Sequence, residues 1–433
     1  MNTYKVTTRC KVYLSLIILF SLFLRLGLAY GWRGSFFERG NRISYIDPIA
    51  SNLVRGNGFS LEPGQPTAVN EPLYPLLVAL SYRLFGRAWF GVALLQSVVA
   101  ALNALILFSL ALIIFRSWKI GFSVFFLFLF YPFYIFQSVS ISDTVFFCFL
   151  LALSVWTTVL SVKKRKLWIA LISGGCWGLA LLTRFSAVSI FPFALVYLFI
   201  NLPAKKALKA AAAALLAALV VLAPWVYRNY SLSDQFLIST HGAIEVWFGY
   251  NRDTLHVVSN DITVDSMRRN LKDKVPALKE VETGMFRSSI EREAEEGRVL
   301  LREALDFALK NPVLSLRMIP VKLWKFWSWN YNPVPTTSDP VQDILRQVIY
   351  TVSYFPLLFL AFPGVVISRR IWRTHSIFIM LFIGYSALHA LVYGFSRLRV
   401  PLDQFLIIYA SVTLVFLLGK FRLFLTKGSG LAL

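Results

Sequence analysis

TVFFCFLLALSVWTTVLSVKKRKLWIALISGGCWGLALLTR, residues 144–184, decides the class of this protein. Two apolar runs, at about 143–162 and 167–183, are separated only by four consecutive bases, Lys163, Lys164, Arg165 and Lys166. A hydrocarbon core of roughly 30 Å is crossed by about twenty apolar helical residues. Runs of that length with a basic hinge therefore read as membrane spans. Outward from this pair the same pattern repeats, giving ten spans at about 12–30, 89–115, 120–138, 143–162, 167–183, 186–201, 208–226, 346–368, 375–395 and 402–419. Composition agrees: 57% of residues are hydrophobic, 15% are charged, and the mean hydropathy is +0.63. A soluble domain carries about 25% charged residues. The first run is long, lacks a small-residue cleavage site and is followed by further spans, so it reads as a span and not as a cleaved signal. The expected fold is an all-α polytopic membrane protein.

A net charge of +22 raises the question of nucleic acid, and the placement of the charges answers it. With the N-terminus in the cytoplasm, one side collects Lys5, Arg9, Lys11, Arg116, Lys119, the bases 163–166, Lys205, Lys206, Lys209, Arg369, Arg370, Arg373, Lys420, Arg422 and Lys427. That side holds no Asp or Glu. Short basic loops on one face are the positive-inside signature of a membrane protein. No nucleic-acid partner is needed to explain the excess. The setting this implies is the cell (inner) membrane.

The other side carries two long segments, 31–88 and 227–345. The chain thus divides into an N-terminal transmembrane module at 1–226 with outer loop 31–88, an outer helical region at 227–345, and C-terminal transmembrane helices at 346–433. Within the second segment, FRSSIEREAEEGRVLLREALDFALKNP (286–312) reads as a surface helix with Val299, Leu300, Leu305 and Leu309 apolar and Pro312 ending it. VLSLRMIPVKLWKFWSWNY, which follows, mixes Trp, Lys and apolar residues as a helix lying at a membrane interface does.

The sequence has no GxxxxGK loop, no HExxH and no GxSxG elbow. Cys10, Cys148 and Cys176 show neither metal spacing nor a disulfide framework, and the four histidines, at 241, 256, 375 and 389, show no ligand spacing. Neither a metal nor a cofactor is called for. What remains is charge at the membrane edge, which is costly to keep and is a functional candidate by default. On the outer side stand Asp47 in RISYIDPIASNLVRGNGF (42–59), Glu71 in NEPLYPLL, Asp143 in SISDTVFF, Arg184 in ALLTRFSAV, Arg228 in APWVYRNY, and Arg397, Arg399 and Asp403 in GFSRLRVPLDQ.

In their order and topological side, these motifs resemble the dolichyl-phosphate-mannose protein mannosyltransferase superfamily. That is a branch of the GT-C glycosyltransferases which also includes the bacterial lipid A aminoarabinose transferases. The likeness runs from about residue 12 to 419. It implies a GT-C fold, a polyprenyl-phosphate-linked sugar as donor, a lipid, glycan or protein hydroxyl as acceptor on the extracytoplasmic side, and Asp47 as the first-loop catalytic acid. Pro48 stands where protein mannosyltransferases often have Glu, which points away from a protein acceptor.

The residue chemistry suits such a transfer. A prenyl phosphate is a good leaving group, so the transfer needs a base for the acceptor hydroxyl, worth about 10²–10⁴ in rate, and cations for the departing phosphate. Asp47 is the candidate base and Asp143 a second catalytic carboxylate. Arg184, Arg228, Arg397 and Arg399 are candidate phosphate ligands, since arginine grips phosphate bidentately. Plainer readings stand beside these. Asp47-Pro48 fits an N-cap followed by proline at the first helical position, Asp143 fits a cap of span four, Arg184 and Arg228 fit snorkelling anchors, and Glu71 fits a solvated or capping residue. A lipid-linked glycan ligase on the same fold is the second enzyme reading. A transporter or flippase of a lipid-linked anion is the rival class, although no inverted repeat is visible.

The topology is directly testable with a membrane-impermeant thiol reagent on intact cells. A cysteine at Glu245 should be modified and one at Lys164 protected. The reverse pattern would invert the orientation.

Overall fold

The computed structural model describes residues 8–31, 43–254, 271–329 and 340–428. Lys5, His256 and parts of both long outer segments lie outside the described residues. After α1 (Thr8–Gly31), the first long segment contains α2 (Ile43–Val54), a two-stranded antiparallel hairpin of β1 (Ser60–Glu62) and β2 (Gln65–Pro66), and α3 (Leu73–Phe85). The central bundle follows as α4 (Trp89–Phe115), α5 (Trp118–Phe130), α6 (Pro132–Ser138), α7 (Thr144–Lys164), α8 (Leu167–Leu181), α9 (Phe191–Asn201) and α10 (Ala204–Ser233). The second long segment holds α11 (His241–Gly249), α12 (Leu271–Lys274), α13 (Ala277–Thr283), α14 (Ser289–Lys310) and α15 (Pro312–Trp327). The chain closes with α16 (Pro340–Ile367), α17 (Trp372–Leu391) and α18 (Val400–Gly428).

The all-α membrane architecture is as the sequence predicts, but length alone does not yield ten spans. Among the described residues, six helical stretches are long and apolar enough to cross: Val12–Gly31, Trp89–Phe115, Thr144–Lys164, Ala204–Ser233, Gln347–Leu391 and Ser396–Lys420. A seventh appears if α5 and α6, bent by 54°, are one span. The causes are local. Pro132 disfavours helical backbone at the residue before it, and Tyr131 is extended with ψ 116°. α8 has 15 residues and α9 has 11, each short for a crossing. Between them lies the turn carrying Arg184. Gln347–Leu391 is one apolar run of 45 residues, divided by the 3-10 turn Ser368–Ile371.

Basic residues end the helices on one face. Arg116 and Arg165 adopt left-handed backbone, with φ of 53° and 54°, and their amides donate to the Leu112 and Ser161 carbonyls at 3.0 and 2.8 Å. These turns close α4 and α7 in the manner of a C-terminal cap.

Among the described residues four apolar clusters organise the interior, the smallest joining Ala170, Leu198, Leu202, Ala207, Ala210 and Ala211 across α8 to α10. The largest draws buried residues from α4, α5, α7, α8, α16, α17 and α18, including Phe125, Phe128, Trp177, Tyr354, Phe378 and Phe405. A second joins Ala29 of α1, Ile46 and Ala50 of α2, Tyr74 and Tyr82 of α3, Trp89 of α4, and Val139 and Ile141 just ahead of α7. The third joins α11 and α14 to Tyr393 and Phe395. α14 matches the helix expected over 286–312. Ser288 caps it by accepting from the Glu291 amide at 3.1 Å. Pro312 does more than end it, because it opens α15 one residue later. Leu300 faces inward, whereas Leu305 and Leu309 are exposed. α15 is two-sided, with Met318, Lys322 and Phe326 buried and Leu316 and Trp324 exposed.

Membrane helices gain little from apolar burial against one another, so close backbone approach at small residues matters more. α8 meets α10 in this way. A Cβ at Gly174 would lie 2.0 Å from the Ala214 carbonyl oxygen, while one at Gly175 would meet nothing within 4 Å. Gly174→Ala should therefore lower the melting temperature in detergent, by an overpacking cost of about 1–3 kcal/mol or more. Gly175→Ala should melt as the parent or slightly higher. Equal melting of the two variants would show that this backbone contact is not what sets the α8–α10 spacing.

Candidate active site

Asp47 lies inside α2, four residues past its start at Ile43, so the cap expected of it is not formed. Pro48 is interior as well, and the carbonyl of Ser44 loses its usual amide partner there. What occupies the Asp47 carboxylate is instead α3 and the turn behind it. Tyr82 donates its hydroxyl to Oδ1 at 2.8 Å. Arg87 donates Nε to the same oxygen at 2.9 Å and Nη2 to Oδ2, forming a two-pronged ion pair. Gly86 makes this possible. With φ 74° it takes backbone that favours glycine, ends α3, and returns the chain so that Arg87 reaches α2. Burial pushes the Asp47 pKa up, but the bonds from Arg87 and Tyr82 and the Arg87 charge outweigh it, so the carboxyl titrates below its usual range.

Asp143 precedes α7 without capping it through its side chain. Its two oxygens accept from Arg184 Nε at 3.0 Å and Nη2 at 2.6 Å, and Arg184 also bonds the Thr144 hydroxyl at 3.2 Å. Both side chains are buried. Removing one partner of a buried pair strands the other, at about 3–5 kcal/mol. The pair is therefore a structural tie between α7 and the turn after α8. Glu71 is a cap, but of a distant turn. It accepts from the Phe185 amide at 3.1 Å and the Ser239 hydroxyl at 3.2 Å, which fixes the Glu71-Pro72 corner beside Arg184.

Arg228 is held by backbone. It donates to the carbonyls of Thr67 at 2.8 Å and Phe59 at 2.9 Å, and its guanidinium lies 4.7 Å from the Trp225 ring centre. Glu293 of α14 grips the same loop from the other side, accepting from the Thr67 hydroxyl at 2.6 Å and the Ala68 amide at 3.0 Å. Burial raises the Glu293 pKa against the pull of these donors. Together, α10 and α14 clamp the hairpin that leads from α2 to Glu71.

Arg399 is wholly buried. It bonds Asp403 at 3.0 Å, the carbonyls of Phe326 and Ser328 at 3.2 and 3.3 Å, and the Tyr350 hydroxyl, with the Tyr354 ring centre 3.4 Å away. Asp403 also accepts from Tyr131 at 3.3 Å. Arg397, two residues earlier, is exposed. Of the four arginines singled out in the sequence, Arg184 and Arg399 are buried in ion pairs, Arg228 is bound to loop carbonyls, and only Arg397 presents its side chain to the surroundings. Ile46, beside Asp47, and Ile141, ahead of Asp143, belong to the same apolar cluster.

His375 and His389 are buried packing groups, whereas His241 lies 3.2 Å from Glu245 on α11. His375 bonds the Tyr409 hydroxyl at 2.7 Å and the Ser368 carbonyl at 3.0 Å. Among the described residues, no group of three or more His, Cys, Asp or Glu is placed to hold a metal ion. Tyr82, Arg87 and Glu293 were not anticipated. Glycine followed by a base in LFGRAW signals a helix end, but nothing in it says that Arg87 returns to a residue 40 positions earlier.

Residues 65–227 match the family model described as dolichyl-phosphate-mannose-protein mannosyltransferase. This segment begins after Asp47 and contains Glu71, Arg87, Asp143 and Arg184. No curated protein matches the chain in sequence. In structure the chain is similar to the oligosaccharyltransferase of Archaeoglobus fulgidus, crystallised with a tethered acceptor peptide. The TM-score is 0.54 at 15% identity, covering 94% of this chain and 50% of that one. The chain thus spans half the length of that enzyme, and the likeness is one of fold. ArnT from Cupriavidus metallidurans, crystallised with undecaprenyl phosphate, superposes at a TM-score of 0.48 and 12% identity, over 94% of this chain and 78% of its own. The helical bundle and its apolar spans make this chain a multi-pass membrane protein with the fold of a GT-C glycosyltransferase, and its residues 65–227 are similar to the mannosyltransferase family.

Proposed function

We propose that the protein transfers a sugar from a polyprenyl-phosphate carrier to an acceptor hydroxyl on the extracytoplasmic side of the membrane, with Asp47 as the base. The observation that carries this reading is the Asp47 carboxylate itself. Its pKa is drawn below the usual aspartate range by Arg87 and Tyr82, which also hold it in place. The description of the matched family, which names a dolichyl-phosphate sugar, supports the donor class.

The chemistry balances without a metal or a general acid. Asp47 takes the proton of the acceptor hydroxyl as its oxygen bonds the anomeric carbon. The bond from that carbon to the phosphate oxygen breaks, and the polyprenyl phosphate leaves with the electron pair. Direct displacement inverts the anomeric centre. Cations meet the charge that builds on the phosphate. Arg397, exposed on the same side of the predicted topology, is available for that task. Arg184, Arg228 and Arg399 hold the frame instead, because their donors are already engaged.

Asp47→Asn separates chemistry from folding. Asparagine keeps the shape and accepts from Tyr82, but it takes no proton at neutral pH. Melting temperature should stay near normal and donor binding should be at least as tight as in the parent, while sugar transfer falls at least a hundredfold. The assay would use a panel of radiolabelled polyprenyl-phosphate sugars, chosen from the lipids that accumulate in cells lacking the protein. An Asn variant that kept more than a tenth of parent activity would end the case for Asp47 as base.

The pH profile gives an independent check. A base works deprotonated, and a lowered pKa keeps Asp47 deprotonated to lower pH. Its acid limb in kcat/KM should then lie below the ordinary aspartate value of about 3.9, with activity flat from pH 7 to about 5. A limb near pH 6 that Asp47→Asn leaves in place would assign the base elsewhere.

A further inference from the structure

The three ion pairs in this part of the molecule differ in one respect. In Arg399–Asp403 both side chains are fully buried, and in Arg184–Asp143 both are about nine-tenths buried. In Arg87–Asp47 the acid is 12% exposed and the arginine 59%. One partner belongs to the protein interior and the other to the surroundings. Breaking either of the first two pairs would strand a buried charge. Breaking the third leaves Arg87 largely solvated, while Asp47, no more exposed than Asp143, keeps the Tyr82 bond. The turn at Gly86 carries Arg87 on one flexible side chain at the end of α3, outside the bundle.

A carboxylate offers about four acceptor positions. Tyr82 and the two prongs of Arg87 take three of them, with two donors on Oδ1 alone. In this arrangement Asp47 is poorly placed to accept a proton from an incoming hydroxyl, and the Arg87 charge makes it a weak base. A phosphate monoanion or dianion competes for the guanidinium with the same two-pronged geometry.

We propose that Arg87 is a donor-phosphate-binding residue and that it occupies Asp47 until a polyprenyl phosphate draws it away, so that the base is released only when the carrier has bound. This rests on the donor reading above. The step makes and breaks no covalent bond: the guanidinium exchanges one anion for another, and Asp47 keeps its charge and gains room for the acceptor. Premature proton uptake, and with it attack by water, is suppressed in the free enzyme. The titratable groups facing Asp47 are few. α3 brings Tyr82 and the following turn brings Arg87.

The test is titration of polyprenyl monophosphate, and separately of the uncharged polyprenol, into the full-length protein in phosphatidylcholine nanodiscs. Arg87→Gln should bind the phosphate at least tenfold more weakly than the parent and the polyprenol equally well. Arg87→Lys keeps the charge and the pairing with Asp47 but loses the fork, so its phosphate binding should fall severalfold. Arg83→Gln, an exposed arginine one turn earlier on α3, should bind as the parent. In transfer assays, Arg87→Gln should also move the acid limb of kcat/KM upward by half a pH unit or more, which a merely structural role would not do. Phosphate binding within twofold of the parent in both Arg87 variants, or equal losses for phosphate and polyprenol, would overturn the proposal and leave the donor reading standing. A parent protein that binds neither lipid would overturn both.

Discussion

Arg399 stands at the entry to α18 with no exposure, its guanidinium shared among the Asp403 carboxylate, two carbonyls at the end of α15, and the Tyr350 hydroxyl of α16. Carrying a charge into a medium without water is expensive unless the charge brings its partners along. This site meets that requirement by drawing three helices to one point. Arg184 and Asp143 repeat the arrangement between α7 and the turn after α8. Each pair ties its helices together with directional bonds that apolar packing does not supply.

The consequence reaches the candidate site. The Arg184 turn is joined to Glu71 through the Phe185 amide, and Glu71 sits at the corner from which α3 departs. α3 in turn carries Tyr82 and the Gly86 turn that deliver two residues to Asp47. On the far side, Arg228 and Glu293 hold the hairpin between α2 and Glu71. Asp47 is thus set by a chain of polar ties whose firm end is buried and whose loose end is exposed.

The second long segment takes part in this frame. α14 reaches the first outer loop through Glu293, and α11 packs with α14 and the residues after α17 into one apolar cluster. Lys322 on α15 is buried with its ammonium 3.8 Å from the Tyr250 ring centre, and burial lowers its pKa to about 8. The described part of this segment is therefore tied both to the first outer loop and to the residues after α17.

Much was legible in the sequence. Apolar runs near twenty residues and acid-free basic loops specify a polytopic helical membrane protein, because hydrocarbon tolerates only backbone that satisfies its own hydrogen bonds. The same bookkeeping of charges picked out Asp47, Asp143, Arg184 and Arg399 as residues that must have a reason to be where they are. It could not say which reason. Whether an arginine at a span end meets a phosphate, a carboxylate 41 positions away or a loop carbonyl depends on which helices become neighbours. Hydropathy does not encode that choice. For the same reason the sequence read Asp47-Pro48 as a helix start, when α2 already begins at Ile43. Local signals fix where helices form. Only packing in three dimensions decided that Arg87, far along the chain and unremarkable in its own stretch, is the residue that meets Asp47.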